Sequence, residues 1–199
     1  MSYKEETYVG SKAFALEEFI ARAAARSAQR PEPADCVADL APLMLELIEH
    51  SGKFLEPRHC RSDPDGYARN LIHKTPDDSL SLYALVWLPG QWTPVHDHGS
   101  WGVVGVVEGT LEEHSYVRIS PDRGADTGIE LARGGVSLLG RGAVTSFVPN
   151  PDHIHMTGVP SERPRAVSLH LYGRMMSDFN IYDVEGRTRR RISVAHNES

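Results

Sequence analysis

The segment Pro94-Val95-His96-Asp97-His98 lies in a strand-like run that is soon followed by the apolar run 103–107. Residues i and i+2 of a strand point to the same face, so His96 and His98 can direct both imidazoles to one point inside a barrel. Two imidazoles in this arrangement can chelate a metal ion. The same pattern also fits two unrelated histidines on the surface or in hydrogen bonds, so the pair alone leaves both interpretations open.

A third histidine on a later strand candidate favours the metal site. His155 follows the run 147–151, whose proline and asparagine residues predict a hairpin. His153 shares its strand face, and we prefer His155 as the ligand because of its distance to the next motif. Three imidazoles suit iron, zinc, copper or nickel. Four other histidines are expected to be solvated or satisfied by backbone partners: His50, His59, His73 and His114.

The pattern of residues around these histidines is typical of a β protein. From residue 66 onward, short runs rich in Val, Leu, Ile, Tyr and Thr alternate with Gly, Pro, Asn and Asp about every ten residues, which is typical of an antiparallel barrel or jelly roll. A polar loop is predicted at 118–128, between the two halves of the barrel. The strand candidates are 69–74, 80–88, 92–98, 101–108, 110–119, 135–140, 143–149, 153–159, 166–173 and 179–183.

Two helices are predicted before the strands. Apolar residues recur at helical spacing in 13–28 and in 36–50, and the breaker run Arg30-Pro31-Glu32-Pro33 separates them. A segment of about 50 residues makes a poor independent core. We therefore predict that residues 1–65 form a helical cap within the same domain as a barrel at 66–199.

The composition of the 199-residue chain, with 40% hydrophobic residues and a formal charge of −6, fits one ordinary globular domain. Phosphate binding needs clustered Lys and Arg, so no nucleic-acid partner is expected, and the basic run 187–191 is interpreted as a solvated tail. Two cysteines and the polar opening MSYKEETYVG predict a cytoplasmic protein without a secretory leader. The apolar runs are strand-length, which predicts no membrane partner. The oligomeric state stays open.

Gly90, His96, His98 and Gly109 resemble the first motif of the cupin superfamily, and the run 149–155 resembles the second. This resemblance implies a mostly β fold, the cupin double-stranded β-helix or jelly-roll barrel. The N-terminal α-helices are then expected to pack on the barrel.

The main departure from the cupin motif is Gly102, which stands where the superfamily carries a glutamate ligand. Without that carboxylate, three neutral ligands leave the charge of a divalent metal uncompensated, with open positions facing the cavity. Such a centre suits an anionic ligand, a thiolate above all, next to dioxygen. Cupins of the oxalate oxidase and sugar isomerase types differ, because they keep the carboxylate.

The segment Ser168-Leu169-His170-Leu171-Tyr172 alternates polar and apolar residues with the period of a strand. Its polar side either lines the barrel interior or forms a solvated face. The segment resembles the Ser-His-Tyr motif of the cysteine dioxygenase family, the thiol dioxygenases, and the thirteen-residue distance from His155 to Ser168 agrees with that family. The resemblance implies that Tyr172 interacts with bound oxygen or substrate and that His170 and Ser168 orient it.

Gly66-Tyr67-Ala68-Arg69-Asn70-Leu71 is similar to the Tyr-x-Arg-Asn-Leu strand of the same family. The family's arginine binds the substrate carboxylate, and a planar guanidinium can take a carboxylate with two parallel hydrogen bonds. The resemblance assigns this role to Arg69, with help from Tyr67. A surface arginine on a strand is the alternative. The resemblance spans residues 66–185.

Three departures from the mammalian members bear on the substrate. Gly102 replaces the cysteine that cross-links to the tyrosine, so Tyr172 is expected to be an unmodified phenol. Gly173-Arg174 replaces a Ser-Pro pair, and Asn180 replaces a histidine near the substrate amine. Trp101 and the missing cysteine resemble the bacterial group.

The family resemblance implies an enzyme that adds dioxygen to the sulfur of a small thiol carboxylate at an Fe(II) centre. L-cysteine is the first substrate expected, giving cysteine sulfinate, with 3-mercaptopropionate and mercaptosuccinate as alternatives. A cupin enzyme acting on another small molecule and a non-catalytic cupin that binds a metal or ligand stay open. The expected site comprises the metal ligands His96, His98 and His155, the substrate-binding Arg69 and Tyr67, and the catalytic Tyr172, His170 and Ser168.

Overall fold

The computed structural model describes residues 16–29, 32–149 and 153–198. Two α-helices, α1 Leu16–Gln29 and α2 Pro33–Glu49, are followed by the short 3₁₀ segments Ser51–Lys53 and Pro57–Cys60. The strands of the described residues are β1 Ala68–Lys74, β2 Ser81–Trp87, β3 Val95–His96, β4 Gly102–Glu108, β5 Thr110–Arg118, β6 Leu131–Gly140, β7 Val144–Phe147, β8 Ile154–Gly158, β9 Ala166–Tyr172, β10 Asp178–Asp183 and β11 Thr188–Ser193. Among these residues, neither helix combines the length and the apolar character that a membrane crossing requires.

The strands form two antiparallel sheets, ordered β1-β2-β9-β4-β7 and β11-β10-β3-β8-β5-β6. A buried cluster joins the sheets, with Trp87 and Val104 from the first packed together with Leu111 and Phe179 from the second. Every residue of β2 and β9 is buried, because one face of these central strands meets the interior and the other meets the helices. The predicted mostly β, double-stranded β-helix fold is confirmed.

Helix α2 packs on the outer face of the five-stranded sheet. Its buried residues Met44 and Leu47 share a hydrophobic cluster with Leu82 of β2 and Leu169 of β9. Gly105 of β4 lies directly beneath the helix, and a Cβ at this position would collide with the Met44 side chain. The helix therefore lies on the side of the sheet away from the cavity described below, while the grouping of cap and barrel into one domain stays a prediction.

The strand boundaries agree with the prediction within a few residues except at two places. The predicted strand 92–98 shortens to the two residues of β3, since Pro94 has no N–H to donate to a ladder. Strand β6 begins at Leu131, four residues before its predicted start, because Gly134 and its glycine neighbour form an irregularity opposite Ser115 and do not end the strand. Residues 13–15 of the first predicted helix, 30–31 of the predicted breaker run and 150–151 of the predicted hairpin lie outside the described residues.

The interpretation of the basic run 187–191 as a solvated tail is wrong. Residues Thr188–Ser193 form β11, which pairs with the whole of β10. The Arg189 guanidinium donates to the Asp126 carboxylate (2.9 Å), and that of Arg191 donates to the Asp178 carboxylate (2.7 Å). Charged side chains are typical of an edge strand, because they deter pairing with another chain. The polar pattern therefore reflects exposure of the strand and not a lack of structure.

Candidate metal and substrate site

The three predicted metal ligands converge in the interior. His96 of β3 is the direct cross-strand partner of His155 in β8, and His98 follows two residues after His96. One nitrogen from each ring lies within 4.8 Å of the others, and all three residues are buried. The ring centroids are 4.7 Å apart for His96 and His98, and 4.6 Å apart for His96 and His155. The structure thus groups His155, and not His153, with His96 and His98, while His153 belongs to a second group with Glu113 and His155.

The hydrogen bonds of two rings leave a nitrogen lone pair free for a metal ion. His96 Nδ1 lies 3.0 Å from the Pro94 carbonyl oxygen, which can only accept, so Nδ1 carries the proton. His155 Nδ1 donates in the same way to Glu113 Oε2 at 2.8 Å. Among the described residues, His155 Nε2 and His98 Nδ1 are buried without a partner. Buried polar atoms are rarely left unpaired, and metal ligation satisfies them, so these residues fit a bound metal.

Burial also keeps the imidazoles in the form that binds metal. Burial, together with the neighbouring ring of His155, lowers the pKa of His96 to about 3. Burial lowers the pKa of His155 to about 3, and burial with the adjacent His96 holds the pKa of His98 well below its usual value. Metal ions bind the neutral imidazole, so metal binding at neutral pH does not require any of these rings to lose an extra proton.

Acid is expected to destabilise the metal-free protein. The folded-state pKa values of His96 and His155, about 3, lie below the ordinary value of 6.5. Between these values the unfolded chain binds more protons, so the free energy of unfolding decreases as the pH falls below about 6.5. Thermal unfolding at about pH 7 and about pH 4.5 measures the loss. The His155→Asn variant should show a smaller decrease in Tm, and an equal decrease would contradict this origin.

Glu113 is a site residue that the sequence analysis missed. It lies on β5, its side chain is only 14% exposed, and its carboxylate orients the His155 ring. Burial raises the pKa of Glu113, while His153 and His96 oppose that effect. A carboxylate on the far nitrogen of a metal-binding histidine fixes the ring and increases its basicity. No local pattern marks Glu113, because only the pairing of β5 with β8 brings it to His155.

Glu113→Gln is expected to weaken metal binding about 10- to 100-fold. The amide still hydrogen-bonds His155 but lacks the negative charge that strengthens the ring as a ligand. Competition with a chromophoric chelator measures the affinity. Glu112→Gln is the matched control, because Glu112 precedes Glu113 on the strand and bonds His114 instead (2.7 Å). Equal weakening in both variants would exclude a specific role for Glu113.

Strand β9 carries a buried hydrogen-bond chain to the cavity. Trp87 Nε1 donates to Ser168 Oγ at 3.0 Å, and Ser168 Oγ lies 2.8 Å from His170 Nε2. His170 Nδ1 lies 3.1 Å from the Tyr172 hydroxyl. Because the indole can only donate, we assign the Ser168 proton to His170 Nε2 and the ring proton to Nδ1, which then donates to Tyr172. This direction leaves the Tyr172 O–H free to donate into the cavity.

Arg69 of β1 and Tyr67, the residue before the strand, line the same cavity as the three histidines. Arg69 Nη2 donates to the Met176 carbonyl at 2.6 Å, and its guanidinium lies 5.0 Å from the centroid of the Tyr83 ring. The Tyr67 ring stacks on Trp87 with centroids 4.6 Å apart. The cavity volume is about 30 Å³, so only a small molecule fits, and the guanidinium favours one that carries a negative charge.

The sequence profile of the cysteine dioxygenase type I family matches residues 55–185. The chain belongs to the cysteine dioxygenase family. Membership supports thiol dioxygenase activity in general, and a metal-binding cupin fold, for this chain. The three-histidine cluster lies within the matched residues.

The chain is also similar to several solved structures. A protein with a double-stranded β-helix domain from Klebsiella pneumoniae has 15% identity and a TM-score of 0.46 and covers 64% of this chain and 93% of its own. A cupin-like protein from Thermotoga maritima has 15% identity, a TM-score of 0.40 and coverages of 70% and 87%. A Cupin 2 conserved barrel domain protein from Salinispora arenicola has 16% identity, a TM-score of 0.40 and coverages of 59% and 83%. At these identities and TM-scores they carry no statement about function.

Where mammalian members of the cysteine dioxygenase family carry the cross-linking cysteine, Gly102 lies in β4 between Phe147 of β7 and Tyr172 of β9. A Cβ at Gly102 would collide with the Phe147 ring. The same ring stacks on His98, with centroids 4.2 Å apart. The space of the missing glutamate or cysteine is therefore filled by an apolar ring. The expectation of open metal positions that face the cavity is a separate one and stays a prediction.

Two other departures from the cysteine dioxygenase family support the histidine pair from outside the cavity. Arg174 Nη2 donates to the His98 carbonyl at 3.0 Å. Asn180 Nδ2 donates to Asp97 Oδ2 at 3.0 Å, and the Tyr182 hydroxyl donates to the same oxygen at 2.7 Å. Asp97, between the two ligands in sequence, is thus anchored to β10. The Asn180 side chain therefore binds the buried Asp97 carboxylate, and through it the segment that carries His96 and His98.

Proposed function

We propose that this protein is an iron-dependent thiol dioxygenase that converts a small thiol carboxylate to its sulfinate, with L-cysteine as the first substrate. The observation that carries the proposal is a single small cavity lined by three neutral imidazoles, the Arg69 guanidinium and the Tyr172 phenol. Membership of the cysteine dioxygenase family supports the class of reaction. 3-Mercaptopropionate and mercaptosuccinate also combine a thiol with a carboxylate and are the alternative substrates.

The donor set favours a centre that accepts an anionic sulfur ligand. Fe(II), held by His96, His98 and His155, would activate dioxygen and bind the thiolate of the substrate. The three ligands are neutral, and the cluster they form contains no carboxylate. A nearby uncompensated positive charge lowers the pKa of a thiol and so favours the thiolate.

Arg69 selects the other end of the substrate. A guanidinium has five N–H donors, and the Met176 and Ala195 carbonyls accept from Nη2 and Nη1. These two contacts fix the plane of the group before substrate arrives, and the remaining donors are available to a carboxylate in the cavity. A carboxylate held there places the thiol toward the three histidines.

Tyr172 acts as a hydrogen-bond donor to the oxygen atoms that are transferred. Burial raises the pKa of Tyr172, so the phenol keeps its proton throughout the neutral range. The Tyr172 oxygen accepts a hydrogen bond from His170 Nδ1, so the Tyr172 O–H points away from the hydrogen-bond chain on β9. Both atoms of dioxygen end on sulfur and the thiol proton is released with the sulfinate, so the reaction needs no further reductant.

Oxygen consumption by the purified, metal-analysed protein tests the proposal. The expected result is stoichiometric iron, uptake of dioxygen with L-cysteine, 3-mercaptopropionate or mercaptosuccinate, and a sulfinate product identified by mass spectrometry. Slower turnover of cysteamine, which lacks the carboxylate, is expected from the role of Arg69. Stoichiometric metal without oxygen uptake on any thiol would instead favour a non-catalytic metal-binding cupin.

Arg69→Ala is expected to raise the KM for L-cysteine about 10- to 100-fold, the loss expected for one or two hydrogen bonds to a charged group. Arg69→Lys keeps the charge but loses the planar pair of donors, so it should recover only part of the affinity. Steady-state oxygen uptake measures both variants. The kinetic constants for cysteamine should not change, and an unchanged KM for L-cysteine would remove Arg69 from the substrate site.

A further inference from the structure

The residues after β11 return to the cavity and dock on β1. We call residues 194–198 the C-terminal arm; they lie beyond residues 55–185, which match the family. The Asn197 N–H donates to the Arg69 carbonyl at 2.8 Å, and the Leu71 N–H donates to the Asn197 carbonyl at 3.0 Å. The arm therefore pairs in parallel with β1 on both sides of Asn70.

A side-chain contact reinforces this pairing. Asn197 Nδ2 donates to Asn70 Oδ1 at 2.9 Å. Asn70 is buried, and its own Nδ2 donates to the His59 and Arg61 carbonyls, both at 3.0 Å. Asn70 thus links the arm to the segment that precedes β1, and the contact orients the arm over a defined part of the strand.

The arm contacts Arg69 at both its main chain and its side chain. Arg69 Nη1 donates to the Ala195 carbonyl at 3.3 Å. The ring of His196 packs edge-on against Tyr83, with centroids 5.8 Å apart, and Tyr83 also contacts the Arg69 guanidinium. A second cavity of about 130 Å³ is lined by Tyr67 and Arg69 together with the arm. Tyr67 and Arg69 also line the histidine cavity, so the arm borders the wall of the site.

We propose that the C-terminal arm positions Arg69 for the substrate carboxylate, and that carboxylate binding in turn stabilises the docked arm. This inference rests on the proposed role of Arg69. A long arginine side chain loses conformational entropy when it is held in one orientation. The Ala195 carbonyl and the packed Tyr83 ring hold the guanidinium in the free protein, so less of that entropy is lost when the carboxylate binds.

The arm can detach on its own, because β1 is an edge strand and the arm adds only a short pairing to it. Segments held by few hydrogen bonds open locally without unfolding the rest of the protein. A ligand that binds better when the arm is docked must, by linkage, favour the docked arm. The arm thus acts on the carboxylate only through Arg69, and it has no contact with the reacting sulfur in this scheme.

Kinetics of arm variants test the positioning role. A chain that ends at Ser193 loses the Ala195 carbonyl that accepts from Arg69, and it is expected to raise the KM for L-cysteine about tenfold, the loss expected for one hydrogen bond to a charged group. Asn197→Ala removes only the neutral side-chain bond to Asn70 that helps to dock the arm, so it is expected to raise this KM by a smaller factor, about two- to tenfold. The constants for cysteamine should stay unchanged in both variants. Glu198→Gln is the matched control, because this exposed residue is on the arm but outside the contacts to Arg69. An equal loss for cysteamine and L-cysteine would overturn the proposal, because it would indicate general damage.

Hydrogen exchange at the Asn197 and Leu71 amides tests the coupling without turnover. L-serine, the oxygen analogue of L-cysteine, should slow exchange at both amides in the full-length protein, and ethanolamine, which lacks the carboxylate, should not. Protection should be lost in Arg69→Ala. Protection by L-serine in a protein that oxidises no thiol would support the arm while the proposed reaction failed. Exchange that L-serine does not change would overturn the role of the arm, even if thiols are oxidised.

Discussion

Replacement of His96 by alanine is expected to remove bound iron and to abolish oxidation of thiols. His96 is one corner of the three-histidine cluster, with ring centroids 4.7 Å from His98 and 4.6 Å from His155. The remaining pair of His98 and His155 is a weak site, because the other ligating residues near His155 in the described part of the chain, Glu113 and His153, belong to a separate group. Loss of the hydrogen-bonding partner of a ligand alone weakens metal affinity about 10- to 100-fold, and loss of the ligand itself should weaken it more, so we expect a metal content below roughly one tenth of wild type.

Metal analysis and oxygen uptake measure this effect, with folding checked by circular dichroism. His114→Ala is the matched control, since His114 is a half-buried histidine on β5 that bonds Glu112 and lies outside the cluster. It should retain iron and activity. His96→Gln preserves more of the side-chain volume and covers the case in which the alanine variant does not fold. Stoichiometric iron in the folded His96→Ala protein would exclude His96 as a ligand. Loss of iron in His96→Gln would support the assignment even though a glutamine amide oxygen can bind a metal ion.

Tyr172→Phe is expected to lower kcat about 100- to 10,000-fold with L-cysteine while iron content stays unchanged. The substitution removes one oxygen atom and keeps the ring that packs beside Gly102, so the fold should be preserved. The lost hydroxyl is the last group of the hydrogen-bond chain that runs from Trp87 through Ser168 and His170. Its O–H is the donor that faces the cavity. The hydrogen bond to the transferred oxygen disappears with it.

Single-turnover and steady-state oxygen uptake separate this effect from substrate binding, because KM should change much less than kcat. Tyr116→Phe is the matched control: Tyr116 is a buried tyrosine on β5 whose hydroxyl contacts Met156 Sδ at 3.6 Å, away from the cavity. A Tyr172→Phe protein that loses its iron would indicate a structural role, and one with unchanged kcat would exclude Tyr172 from the reaction.

The filled space beside Gly102 explains how a cupin site can lack a carboxylate ligand without becoming a void. Large cavities next to a buried strand are destabilising, and the Phe147 ring occupies this one. The ring also stacks on His98 and on His153, with centroids 4.2 Å and 4.8 Å away. The wall beside the ligands is therefore aromatic and apolar, which limits access of water to the reacting thiol.

The sequence alone determined the features that depend on strand periodicity. His96 and His98 share a face because they are two residues apart, and the same spacing places Ser168, His170 and Tyr172 on one face of β9, which the structure shows to be buried. Two helices followed by a β barrel could be predicted for the same reason, since apolar periodicity is a local property. Periodicity does not reveal exposed charged strands such as β11, because their composition resembles that of a loop.

Only the tertiary structure decided which strands are neighbours, and with that the surroundings of each site residue. Glu113 meets His155 across 42 residues, and Arg69 meets the Ala195 carbonyl across 126 residues. The ring of Phe147 meets Gly102 because β7 pairs with β4. The neighbours of a strand follow from the burial and hydrogen bonding of the whole chain, and no local pattern records them. The histidine pair on Pro94-Val95-His96-Asp97-His98 could therefore be found in the sequence, but the carboxylate, ring and arm around it could not.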